Sequence, residues 1–269
     1  MLKSLLEQIV REGTEGAADV ALLLSGGVDS LSIGFAAQAI GKRVHAWTFR
    51  LNGEDSEDSV AARKSAKAIG WSFNLVDVKT NQLEDSFIEL ANKWKCRKKT
   101  QFECTFPFLQ LTPAIQQSIV MSGIAADGHF GLSKKAMIHW RYPKEKFDQF
   151  RTSYFNSENP AGQLQQKAVI ESCGKKQVAP YLDRRMFDYF IKYNWDEINK
   201  PRQKEMTLAA YPNEFALVPV RKHANLQLVA GVDKAFERLL TSPINKKNRT
   251  RVMDLCRDYS SDRNQESFL

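Results

Sequence analysis

The stretch Leu22-Leu23-Leu24-Ser25-Gly26-Gly27-Val28-Asp29-Ser30 constrains the fold more than any other part of the chain. An apolar run of strand length, DVALLL, stops at two glycines, and VDSLSIGFAAQAIGK then carries small and apolar residues for about three turns, the pattern of a buried strand, a tight turn and a helix. Glycines at such a turn let the backbone approach an anion. The hydroxyls of Ser25 and Ser30 add donors, and the helix start supplies N–H groups with a partial positive charge. The segment therefore reads as a phosphate loop, with a plain Ser/Gly turn as the alternative. An acidic side chain in an anion loop makes chemical sense as a ligand for Mg2+ held against phosphates, which assigns Asp29 to a metal.

The rest of the first half repeats the strand–helix alternation. Val44 to Phe49 reads as a second strand, SVAARKSAKAIG as a helix closed by Gly70, WSFNLVDV as a third strand and Leu83 to Trp94 as a helix. FPFLQLTPAIQQ reads as a further helix and SIVMSG as another buried strand, while Leu2, Leu5, Leu6, Ile9 and Val10 form the apolar stripe of an N-terminal helix. Alternation of this kind implies right-handed crossovers and an α/β fold, a parallel sheet with helices on both faces. Beyond Gly131 the pattern changes, and helical periodicity dominates from Arg184 to Leu240. A boundary near Trp140 separates a nucleotide-binding core, 1–140, from a mainly helical part, 141–269, expected to pack on the core and complete its site.

Neither the Gly-Lys-Ser/Thr ending of a Walker loop nor a GxGxxG fingerprint is present, which weakens the ordinary NTPase and Rossmann oxidoreductase readings. The four cysteines contain no CxxC pair, so reduced thiols are expected instead of a disulfide framework or zinc site. No run approaches the roughly 20 apolar residues that span a bilayer, and the N-terminus builds no signal sequence, so a cytoplasmic protein with no membrane partner is expected. Thirty-nine Lys and Arg against 31 Asp and Glu give a net charge of +8, which suits either a nucleic acid or the phosphates of a small molecule.

LLLSGGVDS resembles the PP-loop of the ATP pyrophosphatases, which share an adenine nucleotide α hydrolase-like sheet, split ATP between its α and β phosphates and pass through an adenylated substrate. A second segment, Ser122-Gly123-Ile124-Ala125-Ala126-Asp127-Gly128-His129-Phe130-Gly131, is similar to the LSGxGADExFGG element of asparagine synthetases and β-lactam synthetases. Val178 to Asp183 matches their RxPFLD segment, Lys200, Lys204 and Tyr211-Pro212 echo KxxLR and LP, and Arg221-Lys222 stands at an R-x-K element. The likeness runs through most of 20–225, and the chain is identified as similar to the synthetase domain of that family. It implies ATP and Mg2+ as cofactors, with Leu24, Ser25, Gly26, Gly27, Asp29, Ser30, Ser122 and Gly123 lining the nucleotide, while Phe49 at the end of the second strand reads either as a residue framing adenine or as a plain core aromatic. Asp29 and Asp127 are the implied metal ligands, with Lys222 as the pyrophosphate cation and Lys200 as a second one.

Two departures bear on the reaction. The family glutamate after Ser-Gly is Ile124 here, and an isoleucine moves no protons, which leaves Glu103, His129 and His139 as candidate bases. Leu2 stands where full asparagine synthetases carry a catalytic cysteine, so ammonia is expected free, from a separate glutaminase subunit, or replaced by another amine. The expected function is an AMP- and pyrophosphate-forming amide ligase acting on a small-molecule carboxylate and an amine. Two alternatives stay open. Lys93, Lys95, Arg97, Lys98 and Lys99 around Trp94, and Lys246, Lys247, Arg249 and Arg251, could track a nucleic acid whose base is adenylated, or the chain could be an ATP-binding module without turnover.

Overall fold

The computed structural model describes residues 1–132, 144–159, 162–220 and 230–240. Its centre is a five-stranded sheet in the order β3-β2-β1-β4-β5, with every neighbouring pair parallel. The strands are β1 (Asp19–Leu23), β2 (Arg43–Leu51), β3 (Ser72–Val78), β4 (Ile119–Met121) and β5 (Lys176–Val178). Residues Val20, Ala21 and Leu22 of β1 are wholly buried, as expected for a central strand covered on both faces.

Helices α1 (Leu2–Gly13), α2 (Val28–Ala39) and α3 (Glu57–Ile69) precede or link the first strands, and α4 (Leu83–Asn92) and α5 (Lys99–Ala114) fill the connection from β3 to β4. The amphipathic stripe read in the sequence holds: Leu2, Leu6, Ile9 and Val10 are the buried residues of α1. α2 is different, because its residues from Ser30 to Ala37 are all buried, which explains why small and apolar side chains run round it instead of along one face. Gly34 is the tightest point. A Cβ there would stand 2.2 Å from the Trp71 ring and 2.7 Å from Leu22, so only glycine lets α2 lie this close to the sheet and to the start of β3.

After β4 come α6 (Ala126–Phe130), α7 (Lys144–Phe155) and α8 (Gln163–Ser172), then β5, a 3-10 turn at Pro180–Leu182, and helices α9 (Arg184–Phe190), α10 (Trp195–Asn199), α11 (Glu205–Leu208), α12 (Pro212–Ala216) and α13 (Val232–Leu240). The helical second half expected from the sequence is present, but β5 belongs to it and pairs with β4, so the sheet itself draws on both sides of the expected boundary. One core joins Leu6, Val20 and Leu31 to Tyr181, Phe190, Leu208 and Phe215. A second, on the opposite sheet face, gathers Trp47, Phe49, Phe87, Phe102, Phe106 and Phe236. Trp140 itself lies outside the described residues. No helix among the described residues is long and apolar enough to cross a membrane, and Cys96, Cys104 and Cys173 form no disulfide.

The strand order places a switch point between β1 and β4. The chain leaves β1 toward β2 on one side and returns to β4 on the other, opening a crevice at the carboxyl ends of those two strands. Both sequence motifs emerge there.

Candidate active site

The loop Leu24 to Gly27 connects β1 to α2 and is braced from within. Leu24 N–H donates to the Trp47 carbonyl at 2.8 Å, and the Ser30 hydroxyl donates to the Gly27 carbonyl at 3.1 Å and lies 3.3 Å from Ser25 Oγ. Gly26 has φ of +73°, and a Cβ there would sit 2.6 Å from Ala61 Cβ, so the loop needs glycine for its conformation and for the approach of α3. Gly27 caps α2 with no side-chain hydrogen bond, which leaves first-turn N–H groups facing the crevice.

The second loop touches the first. A Cβ on Gly123 would lie 3.0 Å from Asp29 Cβ and 3.2 Å from Ser30 N, so glycine at 123 is what lets the β4 loop rest on the α2 terminus. Ser122 is held by its N–H to the Val178 carbonyl at 3.0 Å, while its buried hydroxyl has no hydrogen-bond partner. Ala125 then takes a left-handed conformation, φ +68°, and starts α6 with Asp127 in its first turn.

Between the loops stands Lys204. Its ammonium donates to Asp29 Oδ2 at 2.5 Å and to Asp127 Oδ1 at 3.0 Å, and it lies 5.0 Å from the centre of the Phe130 ring. The lysine side chain is 6% exposed. Burial works to lower its pKa, but the two carboxylates outweigh that and hold the ammonium above its ordinary value. Burial raises Asp29 to about 6, with Lys204 opposing and Asp127 adding to the rise. Asp29 Oδ1 is buried with no hydrogen-bond partner.

That vacant carboxylate oxygen, the second carboxylate on Asp127 and the open Ser122 hydroxyl fit Mg2+ with a polyphosphate. Mg2+ is characteristically held by one or two carboxylates together with substrate phosphates and water. Among the described residues no group of three or more His, Cys, Asp or Glu that could hold a metal gathers.

Two other expected residues fall elsewhere or out of view. Lys200 is not part of the cluster: its side chain is 63% exposed and pairs with Asp196 at 2.7 Å on α10. Lys222 and Arg221 lie outside the described residues, as do His139 and the basic cluster near Lys247. Sequence reasoning placed Lys204 in a family-like pattern but passed over it for the phosphate role. The available signal was that echo of KxxLR, four residues beyond Lys200.

The two base candidates among the described residues, His129 and Glu103, are poorly placed for proton transfer. His129 is wholly buried, stacks on Phe155 at 4.1 Å and donates from Nε2 to the Tyr181 carbonyl at 2.7 Å. Burial pushes its imidazole down to about 3, so it remains neutral. Glu103 is buried on α5 and ion-paired with Lys99 at 3.3 Å. Tyr181 reaches Ser32 Oγ at 2.8 Å, and Ser32 donates to the Asp29 carbonyl at 2.8 Å, so a buried polar link runs from the 3-10 turn to the α2 terminus.

Beside Ser25, Leu23, Leu24, Trp47, Thr48, Phe49 and Phe108 help to line a cavity of about 60 Å³. Phe49 lines this cavity with Ser25 and is at the same time part of the buried core on that sheet face.

The asparagine synthase family model matches residues 1–179. The chain belongs to the asparagine synthase family. It is accordingly an ATP-using enzyme of the PP-loop pyrophosphatase superfamily. No curated protein matches the chain. Among solved structures it is similar to the U34-tRNA thiolase NcsA from Methanococcus maripaludis, at 14% identity and a TM-score of 0.42 over 95% of this chain and 77% of that one. A predicted tRNA methyltransferase subunit from Methanocaldococcus jannaschii matches at 18% identity and TM-score 0.31, over 61% and 91%. A glutamine-dependent NAD+ synthetase from Acinetobacter baumannii, in complex with ADP, matches at 16% identity and TM-score 0.32, over 71% and 44%.

Proposed function

We propose that this asparagine synthase family chain is an amide ligase that adenylates a small-molecule carboxylate with ATP and transfers the acyl group to an amine or ammonia. The observation that carries the reading is the Lys204 ammonium bridging Asp29 and Asp127, three charged groups from three segments meeting where the β1 and β4 loops touch. A cation and donors at a helix start stabilise a leaving pyrophosphate, and two carboxylates serve it by holding Mg2+ against its oxygens.

The Ser25–Gly27 backbone and the α2 terminus bind phosphate oxygens, and the adenine ring is expected to lie near Phe49, where the small cavity beside Ser25 would have to widen. Mg2+ held by Asp29 and Asp127 would spread the charge that develops on the pyrophosphate. Lys204 offsets the negative charge of both carboxylates and offers its ammonium to the same oxygens, with Lys222 as a second cation. A substrate carboxylate attacks the α-phosphorus, pyrophosphate leaves, and the amine then displaces AMP from the acyl-adenylate. Ile124 removes the family's proton-handling carboxylate, so the amine is expected to arrive already nucleophilic, as free ammonia does in part, or to lose its proton to the adenylate phosphate.

Adenylation of a nucleic acid base is less well supported by the Trp94 cluster. Lys93 lies over the Trp94 ring at 4.5 Å, Arg97 donates to the Ala91 and Cys96 carbonyls, Lys95 to the Asn92 carbonyl, and Lys99 pairs with Glu103. Those cations have partners at the end of α4 and on α5.

Exchange of labelled pyrophosphate into ATP, assayed against a panel of amino acids and other carboxylates, tests the proposal. Exchange that depends on one carboxylate supports it. Release of AMP only with RNA or DNA would move the substrate to a nucleic acid, and MgATP binding with no exchange under any condition would leave a binding module.

A further inference from the structure

Lys204 reaches the two carboxylates from a backbone conformation that a lysine seldom adopts, φ +62° and ψ +28°. Something must hold it there. Its carbonyl accepts from the N–H groups of Thr207 and Leu208, at 2.9 and 3.0 Å, which fixes the residue to the start of α11. Its own N–H donates to Oδ1 of Asn199 at 3.0 Å. Asn199 is 2% exposed, and its amide nitrogen donates to the Phe130 carbonyl at 3.0 Å and to the Trp195 carbonyl at 3.1 Å.

Phe130 closes α6, the short helix whose first turn carries Asp127, and its ring faces the Lys204 ammonium. Asn199 thus ties the backbone of the cation to the element that bears one of its carboxylates. We infer that Asn199 is a positioning residue, which locks Lys204 in its left-handed conformation and sets its ammonium between Asp29 and Asp127. The inference rests on the reading of that cluster as the phosphate site. The side chain has the required chemistry because a single amide both accepts from one backbone and donates to another. Alanine does neither, and aspartate accepts from Lys204 but sets a carboxylate oxygen against the Phe130 and Trp195 carbonyls.

The test reads Lys204 itself. The intact chain is exposed to an acetylating reagent without nucleotide, and modification of each lysine is followed by peptide mass spectrometry, with far-UV circular dichroism as a check of folding. In the unsubstituted chain Lys204 reacts slowly and Lys200 fast. Asn199→Ala raises the Lys204 rate about tenfold, the loss of one well-made buried hydrogen bond to backbone, and weakens MgATP binding in calorimetry by about the same factor. Asn199→Asp raises the rate less and serves if the alanine variant does not fold. Lys42, whose ammonium donates to the Thr14 and Ala17 carbonyls on the far side of α2, should keep its rate in both.

An unchanged Lys204 rate overturns the inference, and so does a rise that Lys42 shares, since that reports general loosening. If the unsubstituted chain fails to bind MgATP, the phosphate-site reading falls, while the labelling comparison still decides what Asn199 does.

Discussion

At the scale of single residues, the site depends on which lysine enters it. Lys200 and Lys204 lie one helical turn apart in sequence number, yet Lys200 pairs with Asp196 at the surface and Lys204 is buried between Asp29 and Asp127. The expected contrast is large. Lys204→Met removes the cation, leaves two carboxylates facing each other and pushes the Asp29 carboxyl above its already raised pKa, so pyrophosphate exchange falls by about 100-fold or more. Lys200→Ala, at an exposed surface pair, changes exchange and stability within about 0.5 kcal/mol. Equal losses in the two variants would remove the phosphate role given to Lys204. Gly26→Ala, which meets both a positive φ and the Ala61 contact, is expected to abolish MgATP binding and to lower stability by about 2 kcal/mol. Binding calorimetry and a urea titration check the two parts of that expectation.

At the scale of elements, two contacts fix how helices pack around the sheet. α2 approaches the sheet across Gly34, and Gly34→Ala would gain helix propensity of about 1 kcal/mol in an open helix. Here the added methyl meets Trp71 at 2.2 Å and Leu22 at 2.7 Å, so the expected net effect is destabilising by about 1–3 kcal/mol, read as a lower urea midpoint. α13 packs on α5, with Phe106 and Phe236 edge to face at 5.4 Å. Glu103 stands at that same junction, 2% exposed, where burial raises its pKa, Lys99 opposes the rise and the Asp233 carboxylate adds to it. A carboxyl whose folded pKa lies above its unfolded value leaves stability intact below the unfolded pKa and diminishes it as pH rises through the folded one. Glu103→Gln is therefore expected to raise stability at pH 7.5 and to change nothing at pH 4, as read from melting temperatures at the two pH values. A loss at pH 7.5 would mean that the Lys99 pair outweighs burial.

For the molecule as a whole, what the sequence revealed follows the distance over which each signal acts. The β1 loop, α2 and the β4 loop were legible because strand run, glycine turn and helix start are written in consecutive residues, and their meeting follows from the parallel crossover rule. Lys204 was legible only as part of the KxxLR echo, which does not say that it, and not Lys200, closes on Asp29, 175 positions away. β5 was missed because three residues, Lys176 to Val178, carry no usable alternation, and its pairing is set by β4 and by the Ser122 N–H on the Val178 carbonyl. The same pairing bears on how the chain is expected to unfold. Residues 1–140 lack β5 and lack Tyr181, Met186, Phe190, Leu208 and Phe215, which complete the core around α1, α2 and β4. A fragment ending at 140 would expose that apolar face, so it is expected to remain unfolded or to aggregate. The full chain, by contrast, should lose secondary structure and tryptophan burial together in urea, since Trp47 and Trp71 lie in the first half and Trp195 packs against the shared core from the second. Circular dichroism and tryptophan fluorescence give the two curves. Coincident midpoints are the expected result. Separate midpoints, with the Trp195 signal lost first, would show that the helical half leaves the sheet as an independent unit and would support the boundary near Trp140.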